Sequence, residues 1–366
     1  MRKYFIGFIV ACTVTILAIG LLNFVIDPLQ YFRAYRLGTP VFFEDQRYQV
    51  PGLARNYPYD TVIIGTSMTE NFDPKYIQKK TGWLTLKLSI NGSTAYEQRK
   101  ILEVAIKTER VRRVLWGVQW DAFAHPAKTR MDLGGMPEYF YENSTPALIK
   151  EYLLNISTLG RSIAVTFGQG EKDLNRLNNW NAQAEFGCAS IQKYFDDEPA
   201  QKRFNLSVSN KELDISKKKI GASLQENLFD VIQNNPKIDF YIFTPPYSLW
   251  FFRWLSSTNR SALESYFSFR EDLASGLATY KNVKFFDYQA SQDIITNPAL
   301  YKDLTHYSEE INKRMIDGFM QKPIPLAPRR QFDDLFSSSD FIQMCFQSRG
   351  YQVMPTSRRD SLPSYR

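Results

Sequence analysis

The sequence predicts an α/β protein: a three-layer, doubly wound parallel sheet with a helical insertion and one N-terminal membrane-spanning helix. Three observations predict it. Short apolar runs of strand length alternate with segments of helical period between residues 60 and 118 and again between 238 and 320, the pattern of strands joined by crossover helices. The stretch between those halves, 125–237, is too long for one crossover and is polar and rich in Asn, Gln and Lys. From Tyr4 to Ile26 the chain carries no charged side chain, matching the roughly 20 apolar residues that cross a bilayer as a helix.

Composition narrows the functional classes. A chain of 366 residues that is 44% hydrophobic and 23% charged can bury a full core in water without metal or disulfide support. Its net charge of +7 is spread thinly, with no basic run of the kind that tracks nucleic acid, so no nucleic-acid partner is expected. Cys12, Cys188 and Cys345 form no C-x-x-C pair. There is no Gly-rich phosphate loop and no H-E-x-x-H helix, so neither a cofactor nor a metal is expected. Only His125 and His306 are available as imidazole bases.

Taken in order, residues 1–28 read as a short cytoplasmic tail and an uncleaved signal anchor. Arg2 and Lys3 precede the apolar run and Asp27-Pro28 closes it, which favours a body outside the cytoplasm. The run exceeds the core of a cleaved signal peptide, and no small-x-small site stands near Ile26. Residues 29–59, with Pro40, Pro51 and Pro58 among many aromatics, have no sustained period and read as a linker packed on the body. The first half of the sheet domain, 60–124, holds strands at Thr61–Ile64, Leu84–Leu88 and Val111–Val118, a helix after Pro74 and another over Tyr96–Thr108. Residues 125–237 form the insertion or cap. The second half, 238–322, holds strands at Asp239–Phe243 and Val283–Phe286, a helix over Ser261–Leu277 and a closing helix from about Ser308 to Met320. Residues 323–366 are an extension: a docked helix from Gln331, then a loose tail. In an oxidising compartment Cys188 and Cys345 are free to pair, but spacing alone does not decide it.

Chemistry concentrates at strand ends. Gly65-Thr66-Ser67 stands where the first strand of the body stops, so the Ser67 hydroxyl projects from the carboxyl edge of the sheet, where open α/β folds bind ligands. Taken alone, such a serine is more often a turn residue. Asp303-Leu304-Thr305-His306, just before the last helix, supplies a base and the carboxylate to orient it. Trp120, Tyr247 and Trp250 lie near strand ends, where aromatic faces can stack on sugar rings or form a hydrophobic wall.

This order of motifs resembles the SGNH hydrolase superfamily, whose first block places a serine after the first strand and whose last block is D-x-x-H. Asn91-Gly92-Ser93 follows the second strand, where that family keeps a glycine as a backbone oxyanion donor. The third block, G-x-N-D in the family, falls on Gly117-Val118-Gln119-Trp120-Asp121, with glutamine in place of asparagine. G-T-S in place of G-D-S is similar to the membrane-anchored branch that holds alginate O-acetyltransferase-type and teichoic-acid D-alanylation proteins. The resemblance covers about 60–125 and 238–320. It implies an SGNH/flavodoxin-like fold with Ser67 as nucleophile, His306 as base and Asp303 as its orienting carboxylate. It also implies oxyanion donors at the Ser67 and Gly92 amides, with Gln119 and Asn91 competing for a side-chain role.

The expected function is therefore an anchored enzyme on the periplasmic side of the cell membrane. It adds or removes an acyl ester on an envelope or exported glycan, either as an esterase or as an O-acyltransferase served by a membrane-bound acyl-exporting protein. The alternative is a non-catalytic glycan-binding or assembly protein of the same fold, which Gln119 in the third block favours.

Overall fold

The structure, a computed structural model, describes residues 1–35, 38–130, 135–196, 217–258, 260–337 and Cys345. Helix α1, Arg2–Ile26, is the apolar N-terminal segment and is long and apolar enough to cross a membrane. Its two threonines suit such a setting, because Thr13 and Thr15 donate back to the carbonyls of Ile9 and Ala11 and leave no hydroxyl unpaired.

Five parallel strands make the sheet: β1 Thr61–Ile64, β2 Thr85–Lys87, β3 Arg113–Gly117, β4 Asp239–Thr244 and β5 Val283–Asp287. Their spatial order is β2-β1-β3-β4-β5, one of the common doubly wound orders. All five strands stand where the apolar runs predict them, each within a few residues of its expected ends. Val62, Ile63 and Ile64 of β1 are fully buried, as a central strand covered on both faces requires.

The helices fall into two groups. Helix α3, Pro74–Thr81, is capped by Asp73 and crosses from β1 to β2, whereas α4, Ala95–Ile106, opens with a Thr94–Glu97 capping box and leads to β3. Because the chain reverses direction along the sheet between these two crossovers, right-handed connections put them on opposite faces. The closing helix, Glu309–Phe319, joins α3 through Lys80–Asp317 (3.2 Å) and the Tyr76 hydroxyl, while α4 packs against Lys217–Leu224, which also touches Arg260–Leu277. The described residues between β3 and β4 are helices and turns, with one isolated bridge from Phe42 to Glu171.

The linker reading of 29–59 is corrected. Residues Gln46–Asn56 form helix α2, whose Val50, Leu53 and Ala54 are core residues, and whose Arg47 pairs with Glu97 of α4 at 2.9 Å. Pro51 and Gly52 hide this helix from a propensity reading. Gly52 is there because the chain passes so close that an added Cβ would lie 2.3 Å from the Leu29 carbonyl oxygen. A second helix escaped the reading at Leu249–Thr258, where the aromatic cluster obscures the period.

Beyond β5, a buried ion pair holds the C-terminal extension to the sheet edge. Arg270 pairs with Asp287, which also accepts from the Thr244 hydroxyl and the Ala327 amide, so both carboxylate oxygens are engaged. The docked helix runs over Arg329–Ser337, and the tail expected after it lies outside the described residues. Cys188 and Cys345 form a disulfide with a Cα–Cα distance of 5.0 Å, closing a loop with a sequence separation of 157 and tying the insertion to the extension. Such loops lose much chain entropy when closed, so Cys345→Ser is expected to cost about 2–4 kcal/mol. The check is the denaturation midpoint of wild type with and without reductant, which should fall for wild type and stay constant for the variant.

Candidate active site

Strand β1 ends at Ile64, and the chain leaves the sheet through Gly65 at φ +153°, where an added Cβ would lie 2.6 Å from the Thr69 methyl. A side chain is therefore excluded twice, by dihedral and by space. The turn delivers Ser67 to the start of a short 3-10 segment, Ser67–Thr69, with Thr66 as its cap. Gly65→Ala is expected to displace Ser67 and cut any activity of that serine at least tenfold, at a stability cost of about 1–3 kcal/mol. Probe labelling rate read alongside thermal unfolding separates the two effects.

His306 arrives from the other end of the chain. Residues 300–308 turn back on themselves, with a Tyr301–Tyr307 bridge and the Ser308 amide donating to the Leu300 carbonyl at 2.8 Å. The loop after β4 holds this turn: the Ser248 amide and hydroxyl both donate to the Leu304 carbonyl, and the Tyr301 hydroxyl donates to that of Pro246. Tyr307, buried on the inner side, donates to the Met68 carbonyl at 3.1 Å and so ties the turn to the serine segment.

Across this junction Ser67 Oγ lies 2.8 Å from His306 Nε2, and His306 Nδ1 lies 2.8 Å from Asp303 Oδ2 and 3.1 Å from Oδ1. The three residues expected from sequence, 239 positions apart at their extremes, thus form one hydrogen-bonded chain. All three are half-buried, within reach of solvent. Burial pushes the Asp303 carboxyl up, but the facing His306 charge and hydrogen bond, with donation from the His306 and Thr305 amides, overcome it and hold the group down at about 2. The carboxylate is therefore ionised wherever an imidazole titrates, and it selects the tautomer that leaves Nε2 free to accept from Ser67.

The remaining expected residues are distributed differently. Gly92 is exposed, in a left-handed turn at φ +58°, and the turn is stitched to the serine segment because the Ile90 amide donates to the Gly65 carbonyl at 3.0 Å. Asn91 does not join the site through its side chain: it is exposed, its amide donates to Gln46, and its carbonyl accepts from Arg47. Gln119 is buried and braced, its carbonyl accepting from the Thr66 hydroxyl and its amide donating to the Tyr247 hydroxyl at 3.3 Å, which in turn donates to Asp121. Its longer side chain supports the backbone that precedes Ser67.

Stacking on sugar rings by Trp120, Tyr247 and Trp250 is corrected. All three are buried in the core, where their apolar area outweighs any use as an open platform, and Trp120 donates to Ser265 at 3.3 Å. His125 occupies a half-buried loop position and is not part of the chain of three. A cavity of about 400 Å³ lined by Asp45, Arg47, Tyr139, Glu151 and Arg161, among others, contains none of the three either. Hydrogen bonding, not concavity, marks the site.

Sequence reasoning missed Trp180, which the insertion lays across the site. Its indole N–H donates to the Ser67 carbonyl at 3.1 Å, its ring stands edge-on to His306 with centroids 5.5 Å apart, and Lys302 Nζ lies over the ring, 3.9 Å from its centroid. Asn71 accepts from the Trp180 amide and Asn181 from the Glu309 amide, so the segment is clamped on both sides. Also missed was a buried pair beneath the serine. Glu70 accepts from Gln46 at 2.5 Å and its main-chain carbonyl accepts from Lys87 Nζ; burial pushes the Glu70 carboxyl up and the Lys87 ammonium down to about 8. A lone lysine in the apolar strand Leu84–Leu88 was the available signal for that pair. Nothing in the sequence pointed to Trp180.

Among the described residues, no group of three or more His, Cys, Asp or Glu side chains is placed to hold a metal ion. Comparison of the chain with protein-family models and with curated proteins gives no match.

Proposed function

We propose that the protein is a membrane-anchored serine acyl-transfer enzyme of SGNH type, an esterase or an O-acyltransferase acting on ester-linked acyl groups of an envelope or exported glycan. The observation that carries this reading is the continuous Ser67–His306–Asp303 hydrogen-bonded chain at the carboxyl edge of a parallel sheet. His306 Nε2 takes the Ser67 proton as Oγ attacks the acyl carbonyl, and Asp303 steadies the imidazolium. The tetrahedral oxyanion faces the amides of Ser67 and Gly92. Collapse expels the alcohol, which recovers the proton from His306 and leaves an acyl-serine. Water or a sugar hydroxyl then attacks that ester by the reverse sequence and regenerates Ser67.

Two features support the compartment. Helix α1 is long and apolar enough to anchor the chain, and the Cys188–Cys345 disulfide fits an oxidising space outside the cytoplasm. The partner that the resemblance implies for a transferase there is a membrane-bound acyl-exporting protein. The rival reading, a binding or assembly protein, rests on Gln119 being committed to Thr66 and Tyr247.

The experiment is treatment of the full chain in detergent with a fluorophosphonate, with intact mass and peptide mapping. An adduct on Ser67 that disappears in His306→Ala establishes an activated nucleophile. A folded wild-type protein that forms no adduct overturns the catalytic reading in favour of binding.

A further inference from the structure

The Ile156–Thr166 helix of the insertion buries Val165 beside two polar side chains and leaves larger apolar ones outside. Its polar Thr158 and Ser162 are buried, while Ile156 is 74% exposed, Ile163 48% and Phe167, which caps its end, 74%. The exposed positions are spaced by seven and four residues, with Gly160 between the first two, so they form one stripe along the helix. Leu154 at 42% and Ile149 at 47% extend the stripe through the preceding turn. A continuous apolar face of this kind is costly in water and marks a surface that meets something apolar.

What it meets follows from where it lies. Helix α1 docks by its last turns on this same element: the Asn23 amide donates to the Leu153 carbonyl at 2.8 Å, and its side-chain oxygen accepts from Ser162 at 2.8 Å. An added Cβ on Gly20 would touch Leu154 at 3.0 Å. Asp27, at the left-handed end of α1, accepts from the Tyr31, Phe32 and Arg33 amides and the Tyr152 hydroxyl, so the anchor is fixed to the body without a flexible joint.

The length of α1 then sets the depth. From Tyr4 to Ala18 every residue is uncharged and exposed, before Ile19, Gly20 and Asn23 meet the body, and this unbroken run spans about 22 Å at roughly 1.5 Å per residue. A hydrocarbon core is about 30 Å thick. Snorkelling by Arg2 and Lys3 recovers only about 3 Å, so several ångströms of span must come from turns already flanked by the body. That depth matches the roughly 5–10 Å to which interfacial amphipathic helices sink.

From these observations we infer that the stripe Ile156–Ile163–Phe167, with Leu154 and Ile149, is seated in the lipid of the bilayer that α1 crosses, holding the body at one fixed orientation on the membrane. The inference rests on the reading of α1 as a spanning helix. Phe24 and Phe32, in a tilted contact with centroids 5.1 Å apart and Arg33 over the Phe24 ring at 4.8 Å, mark the interface level on the adjoining side.

The test uses the full chain reconstituted in phosphatidylcholine–phosphatidylglycerol vesicles. In a Cys12→Ser background a nitroxide is attached in turn to Ile156→Cys, Ile163→Cys and Phe167→Cys, with Leu17→Cys within α1 and Lys79→Cys on exposed α3 as references. Collision with oxygen, enriched in lipid, is compared with collision with a water-soluble nickel chelate. The oxygen-to-nickel ratio at the three stripe positions is expected to lie several-fold above that at Lys79 and nearer to that at Leu17. Three aqueous stripe positions with Leu17 in lipid overturn the seating and leave the anchor intact. Low collision with both reagents means that protein covers the stripe, which also overturns it. A water-like Leu17 overturns the spanning reading and the seating with it.

Discussion

Ser67→Ala is expected to abolish fluorophosphonate labelling and to lower ester turnover by about 10⁴-fold or more, the loss seen when a serine nucleophile is removed from an acyl-transfer site. The fold should tolerate it. The Ser67 hydroxyl is half-buried and its one described hydrogen bond runs to His306, so the unfolding midpoint should move by no more than the shift of an ordinary surface substitution, about 0.5 kcal/mol. Turnover and labelling at unchanged stoichiometry in a folded Ser67→Ala protein would remove Ser67 from the mechanism. Labelling that moves to another serine would do the same.

Asp303→Asn is expected to lower turnover by about 10³–10⁴-fold while leaving Ser67 in place. The amide presents a donor to Nδ1, so the proton moves to Nε2 and the imidazole can no longer accept from Ser67. The same substitution carries a stability signature. Because the folded carboxyl is held at about 2 against an ordinary value of 3.8, its stabilising contribution is complete above pH 4 or so and is lost as pH falls through the folded value. With the side chain 23% exposed, the contribution is about 1–2 kcal/mol after allowance for solvent screening. Wild type and Asp303→Asn should therefore differ in unfolding midpoint at pH 7 and converge near pH 2. A difference that is constant with pH would show that the carboxylate is not what His306 leans on.

Much of the site was legible because two of its parts are local. Gly65-Thr66-Ser67 follows an apolar run whose length and stop are written in the residues themselves, and Asp303 and His306 share one turn whose amides close on the carboxylate. A strand end and a four-residue turn need no tertiary information to be recognised. The aromatic positions were not legible in this way. Trp120, Tyr247 and Trp250 stand near strand ends in sequence, but whether a side chain there faces the cleft or the core depends on what packs over it. Gln119 likewise takes its role from Tyr247, which comes from a different strand end.

Helix α2 shows the limit of propensity. Pro51 and Gly52 argue against a helix, yet the segment is helical because Val50, Leu53 and Ala54 are buried and the Leu29 carbonyl needs the space that only glycine leaves. Trp180 shows the limit of motif reading, since nothing around it in the chain announces Ser67 and His306 as its neighbours.

By itself the sequence determined the α/β class, the five strands, the apolar N-terminal helix and the three residues of the hydrogen-bonded chain, because apolar period, strand stops and a four-residue turn are properties of neighbours along the chain. The tertiary structure alone decided the Cys188–Cys345 bridge, the brace of Gln119, the cover of Trp180 and the outward apolar stripe beside α1. Each of these joins residues far apart in sequence, and burial and hydrogen-bond partners across such distances exist only once the chain has folded.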